Sequence, residues 1–172
     1  AAPAFSLEQK IQLEIAYGDI AMQRGMLPEA QKIFAGIQNN KAYEGVFLRH
    51  TATLRRVRVE RISKDFDGAL KTLAELELNR IPRLTTDAHH ARAQVYYDME
   101  EYEDAAEEIA MVLQRDPTHS DATILRGRVQ LKLKRLLEAT EVELGANTSQ
   151  STLVPGEILK VTLNDTTLAV SS

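Results

Sequence analysis

The stretch that most constrains this chain is Ala91 to Pro117, ARAQVYYDMEEYEDAAEEIAMVLQRDP. Apolar or small residues fall at Ala93, Tyr96 and Met99, then at Tyr102, Ala105, Ile109 and Val112. Steps of three and four place such residues on one face of a helix. Asp98, Glu100 and Glu101 interrupt the pattern, so the stretch reads as two short helices around a tight turn. Asp116-Pro117 ends the second, because proline offers no backbone donor and disfavours helical geometry in the residue before it. Small residues sit where the two helices have to touch, which predicts a helical hairpin.

The hairpin recurs. A step of 34 residues leads from Ala93, Tyr102 and Ala105 to Gly127, Leu136 and Ala139. Upstream, Gly18, Gly25, Leu27, Ala30 and Phe34 follow the same order, and a weaker copy supplies Val57, Phe66, Ala69 and Leu73. The alanines Ala30, Ala69, Ala105 and Ala139 are 39, 36 and 34 residues apart, so the first two units need longer connections. This pattern resembles the tetratricopeptide repeat, a helix-turn-helix unit with a period of 34 residues. The resemblance covers residues 11 to 146. It implies an all-α fold, a right-handed helix-turn-helix repeat superhelix of about four pairs, with first helices on a concave side and second helices outside.

Local signals place the elements. Ser6 is suited to cap a helix from Leu7, Gly25 to end it in a left-handed conformation, and Pro28 to occupy the first turn of the next. Asn39-Asn40 reads as a break, and Lys41 to Leu48 as an extension of the helix that follows. Thr85, Thr86 or Asp87 is expected to cap the helix running to Met99, after a break at Asn79 to Pro82. The last pair is expected at Asp121 to Lys134 and Leu136 to Leu144. The helical domain therefore spans residues 7–146. Residues 147–172 form a linker and a strand-like tail: Pro155-Gly156 signals a turn, and ILKVTL and TTLAV flank a second at Asn164-Asp165. That tail either packs on the last helix or begins a further domain.

Composition limits the function classes. A net charge of −4 and 44% hydrophobic residues over 172 positions suit one substantial soluble domain. Without cysteine, disulfides, thiolate nucleophiles and cysteine-based zinc sites are excluded. No apolar run approaches the length of a membrane span. The opening AAPAF reads equally as the start of a processed chain or as an internal cut, which leaves cytoplasmic and periplasmic settings, or a place in a larger assembly, open.

The resemblance implies which residues line the concave side: Arg58, Arg61, His90, Gln94, Tyr97, Arg128 and Lys132. Arginines hold carboxylates in a fork and Tyr97 offers a flat contact, so the expected partner is a protein or peptide with acidic segments. The plainer reading is that these arginines are solvated and paired with nearby acids. The run Arg49, Arg55, Arg56, Arg58, Arg61 and Lys64 points in several directions around its helix within an acidic chain, which argues against nucleic acid. Adjacent His89 and His90 point apart, so no shared metal site is expected. Glu103, Asp104, Glu107 and Glu108 read as a hydrated outer surface, with no partnered nucleophile, phosphate loop or metalloprotease motif. The expected function is a non-catalytic interaction module or scaffold without a cofactor. The alternatives are structural oligomerisation through self-association, and a regulatory or targeting arm of a larger enzyme.

Overall fold

The computed structural model describes residues 5–77, 82–148, 159–163 and 166–170, with side chains described for 5–76 and 84–143. It divides into two compact units, 1–133 and 134–172. The helices are α1 (Leu7–Gln23), α2 (Leu27–Asn39), α3 (Phe47–Ile62), α4 (Phe66–Glu77), α5 (Pro82–Asp98), α6 (Tyr102–Arg115) and α7 (Ser120–Thr148). A short 3-10 turn, Lys41–Tyr43, precedes α3.

Ser6 begins α1 with a reciprocal cap: its Oγ accepts the Gln9 amide at 3.2 Å, and its own amide donates to Gln9 Oε1 at 2.8 Å. Two amides that the first turn leaves unpaired are thereby satisfied. Three pairs follow, α1–α2, α3–α4 and α5–α6, and their internal turns share one hydrogen-bond pattern. The amides of Met26, Asp65 and Glu101 reach back to the carbonyls of Ala21, Glu60 and Tyr96. In each turn the residue just before carries a positive φ: Gly25 at 75°, Lys64 at 61° and Glu100 at 66°. This is the Schellman ending, whose left-handed residue is usually glycine. The anchoring alanines Ala30, Ala69 and Ala105 each lie five residues beyond that position and are fully buried.

Each pair buries its face together with the first helix of the next. One cluster joins Ile11, Ile15, Phe34 and Ile37 to Ala52 and Val59 of α3. A second joins Val57, Leu73 and Leu76 to Leu84, Ala88 and Val95 of α5. A third joins Ala93, Tyr102, Ile109 and Val112 to Ala122, Leu125 and Val129 of α7. Nearest-neighbour cores of this kind characterise repeat architectures. Within the first pair the Phe34 ring lies so close to Gly18 that an added Cβ would stand 2.5 Å from it.

The expected fold class, about four pairs with a β-like tail, is corrected. Among the described residues the helical domain has seven helices, arranged as three pairs and one long single helix, and contains no strand. The predicted break between Lys134 and Leu136 does not occur. Residues 130–144, QLKLKRLLEATEVEL, contain no glycine, proline, asparagine or aspartate, and their leucine, lysine, arginine and glutamate favour continued helix. Consequently Ala139 is exposed rather than an anchor, and nothing lies within 4 Å of a Cβ added at Gly127. Leu159–Leu163 and Thr166–Val170, in the second unit, run antiparallel with Leu159 opposite Val170.

Two local expectations also change. Lys41 to Leu48 is not part of a helix throughout; Gly45, at φ 80°, turns the chain, and α3 starts at Phe47. The helix α5 starts at Pro82 rather than after Thr85, Thr86 or Asp87, since proline is preorganised for a first turn. The breaks assigned to Asn79 to Ile81, Pro155-Gly156 and Asn164-Asp165 lie outside the described residues.

Candidate functional site: a polar cavity on the first helices

The first helices of successive pairs, α3 and α5, together with the start of α7, enclose a cavity of about 400 Å³. Leu54, Arg55, Val57, Arg58 and Arg61 come from α3, Asp87, His90, Ala91 and Gln94 from α5, and Asp121 from α7. Steps of three and four bring these side chains to one side of each helix while alternate positions feed the core.

The three arginines have different fates. Arg55 Nε lies 3.1 Å from Asp19 Oδ1 of α1, an ion contact whose angles do not make a hydrogen bond. Arg61 donates to Asp98 Oδ2 of α5 at 2.6 Å. Both therefore tie neighbouring first helices together. Arg58, exposed at the cavity rim, has no ion pair among the described residues. It is the arginine left able to meet an incoming carboxylate.

His90 supplies the second unmet demand. Its Nε2 is buried without a hydrogen-bond partner among the described residues. Burial, with a smaller push from neighbouring His119, lowers its pKa below the ordinary 6.5, so the ring is neutral at pH 7. A neutral imidazole carries one donor and one acceptor nitrogen, and an unmet buried nitrogen costs about 1–3 kcal/mol until something pairs with it. The His119 ring centroid is 4.8 Å from that of His90, and its Nδ1 accepts the Ala122 amide at 3.1 Å, capping α7.

Of the residues expected to line the groove, Arg58, Arg61, His90 and Gln94 meet in this cavity. Tyr97, Arg128 and Lys132 do not line it. Tyr97 packs edge-on against Tyr102 with centroids 5.6 Å apart, and Lys132 Nζ lies 5.9 Å from the centre of the same Tyr102 ring. The aromatic contact anticipated from Tyr97 is thus spent on internal packing. Arg128 is exposed on α7.

His119, Asp87, Asp121 and Arg55 were not among the expected residues. His119 had a readable signal, a ring directly before the Ser120-Asp121 start of a helix; the others meet only through packing of three helices. The chain matches no family model and no curated protein.

Elsewhere the basic run is consumed internally. Arg49 Nε donates to the Gln38 carbonyl at 2.6 Å and Arg56 Nε to Glu60 Oε1 at 2.8 Å. Glu60 is a buried carboxylate on α3, and its Oε1 also accepts from Gln31 Nε2 at 2.9 Å and Thr72 Oγ1 at 3.3 Å. This node joins α2, α3 and α4, and Arg56 extends it to Gln38 Oε1 at 2.8 Å. Glu108, assigned to the outer surface, is instead half-enclosed by His89 Nδ1 at 2.6 Å and Arg92 at 3.3 Å. Among the described residues no group of three or more acidic or histidine side chains is placed to hold a metal ion, and no helix is long and apolar enough to cross a membrane.

Proposed function

We propose that the chain is a non-catalytic interaction module whose α3–α5–α7 cavity takes an acidic side chain, or a carboxy-terminal carboxylate, from a partner peptide or protein. The observation that carries this reading is the coincidence in one cavity of Arg58, which makes no ion pair among the described residues, and the buried Nε2 of His90, which has no hydrogen-bond partner among them. A carboxylate on Arg58 gains a charge-assisted bond, and a peptide N–H or hydroxyl beside it satisfies His90. Gln94 offers both a donor and an acceptor to the peptide backbone. Asp87 and Asp121, which also line the cavity, disfavour a long run of acids and select a single acidic anchor.

The test is an array of short peptides, each carrying one Asp, Glu or free carboxy terminus in an otherwise neutral sequence, probed with wild type, Arg58→Glu and His90→Ala. Wild type is expected to select the acidic members. Arg58→Glu is expected to lose about tenfold or more in affinity. Equal capture of neutral and acidic peptides, or of the same peptides by Arg58→Glu, would sink the reading.

A further inference from the structure

The groove between α1 and α2 departs from the pattern of the other pairs. Aligned on their left-handed turn residues, Gly25, Lys64 and Glu100, the three pairs place Ile20, Val59 and Val95 at one position, five residues before each turn. Val59 is 1% exposed and packs into the cluster of the first pair; Val95 is 0% exposed and packs into that of the second. Ile20 is 43% exposed. The same alignment sets Tyr17, 58% exposed, against Arg56 and Arg92, which are mostly covered. Among the described residues, no helix covers α1 and α2 as α2 covers α3 and as α4 covers α5.

That place is an open groove of about 360 Å³ whose walls include Tyr17, Ile20, Ala21, Met26 and Ile33. Glu14, Arg24 and Glu29 also line it, and apolar and aromatic residues among a few charges are the composition of a protein interface. The filled groove next to it shows what fits. Gln31 at the start of α2 donates to Glu60 near the end of α3 at 2.9 Å, and Gln38, two helical turns on, accepts from Arg56 at 2.8 Å. So α2 runs antiparallel to α3. In the groove of the first pair, Ala21 and Tyr17 stand in place of Glu60 and Arg56, so a matching helix carries apolar residues where α2 carries these glutamines. Asn39, the last residue of α2, lines one pocket with Thr53, and Glu14 stands in place of Thr53. Glu14 makes no ion pair among the described residues, and its Oε1 accepts the Tyr43 hydroxyl at 2.7 Å. A lysine or arginine therefore suits the position of Asn39, and the helix dipole favours a cation in that last turn.

We infer that the α1–α2 groove docks an amphipathic helix of a partner protein, antiparallel to α1, with apolar residues seven apart on its buried side and a basic residue in its last turn. The surface is separate from the α3–α5–α7 cavity, with which it shares no lining residue.

The probe is a labelled peptide of residues 26–40, the α2 sequence, carrying Gln31→Leu, Gln38→Leu and Asn39→Lys, titrated against the 172-residue chain by fluorescence anisotropy. The unchanged sequence is the control, since it reports any exchange with α2 in place. The altered peptide is expected to bind about tenfold or more tighter than the control, through the added apolar burial. In the chain, Tyr17→Gln with Ile20→Gln is expected to lose about tenfold in affinity for the altered peptide. Both side chains are about half exposed, so the urea midpoint of this variant is expected to stay within reach of wild type. Glu14→Gln, which keeps an acceptor for the Tyr43 hydroxyl, is expected to lose about threefold, the worth of a surface ion pair. No binding, equal binding of the two peptides, or undiminished binding by the Tyr17→Gln, Ile20→Gln chain overturns the proposal. So does a wild-type mass of twice 19.2 kDa in light scattering that the double variant halves, which gives the groove to a second copy of the chain.

Discussion

The three Schellman turns allow a quantitative test of how the repeat is encoded. All three have the same hydrogen bonds, yet only the first has glycine at the left-handed position; Lys64 and Glu100 hold φ 61° and 66° with exposed side chains. A side chain in this region costs about 1–2 kcal/mol, from the clash of its Cβ with the following carbonyl. Glycine removes that clash but gives the unfolded chain more freedom, a penalty of about 0.5–1 kcal/mol. The difference predicts that Lys64→Gly and Glu100→Gly each stabilise the chain by about 0.5–1 kcal/mol, where most substitutions destabilise. For a chain of this size each kilocalorie raises the melting temperature by about 2–4 °C. The two turns share no partners, so the double variant should gain the sum of the two. Gly25→Ala should lose about 1 kcal/mol. The assay is urea unfolding followed by circular dichroism, with the slope against urea checked for constancy, because repeat arrays can lose two-state behaviour. Destabilisation by Lys64→Gly at an unchanged slope would refute the turn assignment.

The Glu60 node predicts unequal effects for adjacent arginines: Arg56→Ala strips a donor from a buried carboxylate and should cost about 2–4 kcal/mol, while Arg55→Ala breaks a solvent-screened contact and should cost about 0–1 kcal/mol. Equal losses in urea midpoints would count against the node. His90 and His50 both have folded pKa values below 6.5, mainly through burial. The unfolded chain therefore takes up protons first, and the stability these histidines leave intact above pH 6.5 is lost as pH falls from 6.5 towards their lower folded values. Urea midpoints measured across that window should fall less steeply in His90→Gln, and an unchanged slope would argue against a buried neutral ring. Gly18→Ala drives a methyl into the Phe34 ring and should cost about 1–3 kcal/mol, whereas Gly127→Ala enters open space and should gain up to about 1 kcal/mol of helix propensity. Thermal melts of the two variants check both signs.

What was legible in the sequence was whatever a local pattern encodes. The left-handed glycine at position 25, the Ser6 cap and the spacing from turn to anchoring alanine all depend on residues no more than five positions apart. The single long α7 was hidden by register: Gly127, Leu136 and Ala139 fall where a hairpin needs them, but no residue between Leu133 and Leu136 breaks a helix. A repeat pattern says where a pair would pack, and turn chemistry decides whether the chain bends to pack there. The cavity was half readable, because the register implied by the repeat resemblance puts Arg58, Arg61, His90 and Gln94 on the inner side. It does not reveal that Asp98 claims Arg61, or that Tyr102 claims Tyr97, since both contacts depend on where neighbouring helices cross. Glu60 was invisible for the same reason; among the five arginines of α3 nothing in the sequence marks one carboxylate as buried.

The sharing of each core between a pair and the following first helix bears on how the molecule is made. As the chain leaves the ribosome, α1 and α2 have emerged before their apolar face can be sealed, and it is sealed only when α3 arrives. The second pair then waits for α5, and the third for the first half of α7. Ordering thus proceeds from the amino terminus, and one incomplete cluster at a time is open to solvent. A nascent chain whose emerged part ended between Asp65 and Leu84 would hold a finished first cluster beside an unfinished second, so arrest at successive lengths should give protease protection that advances in steps of one pair.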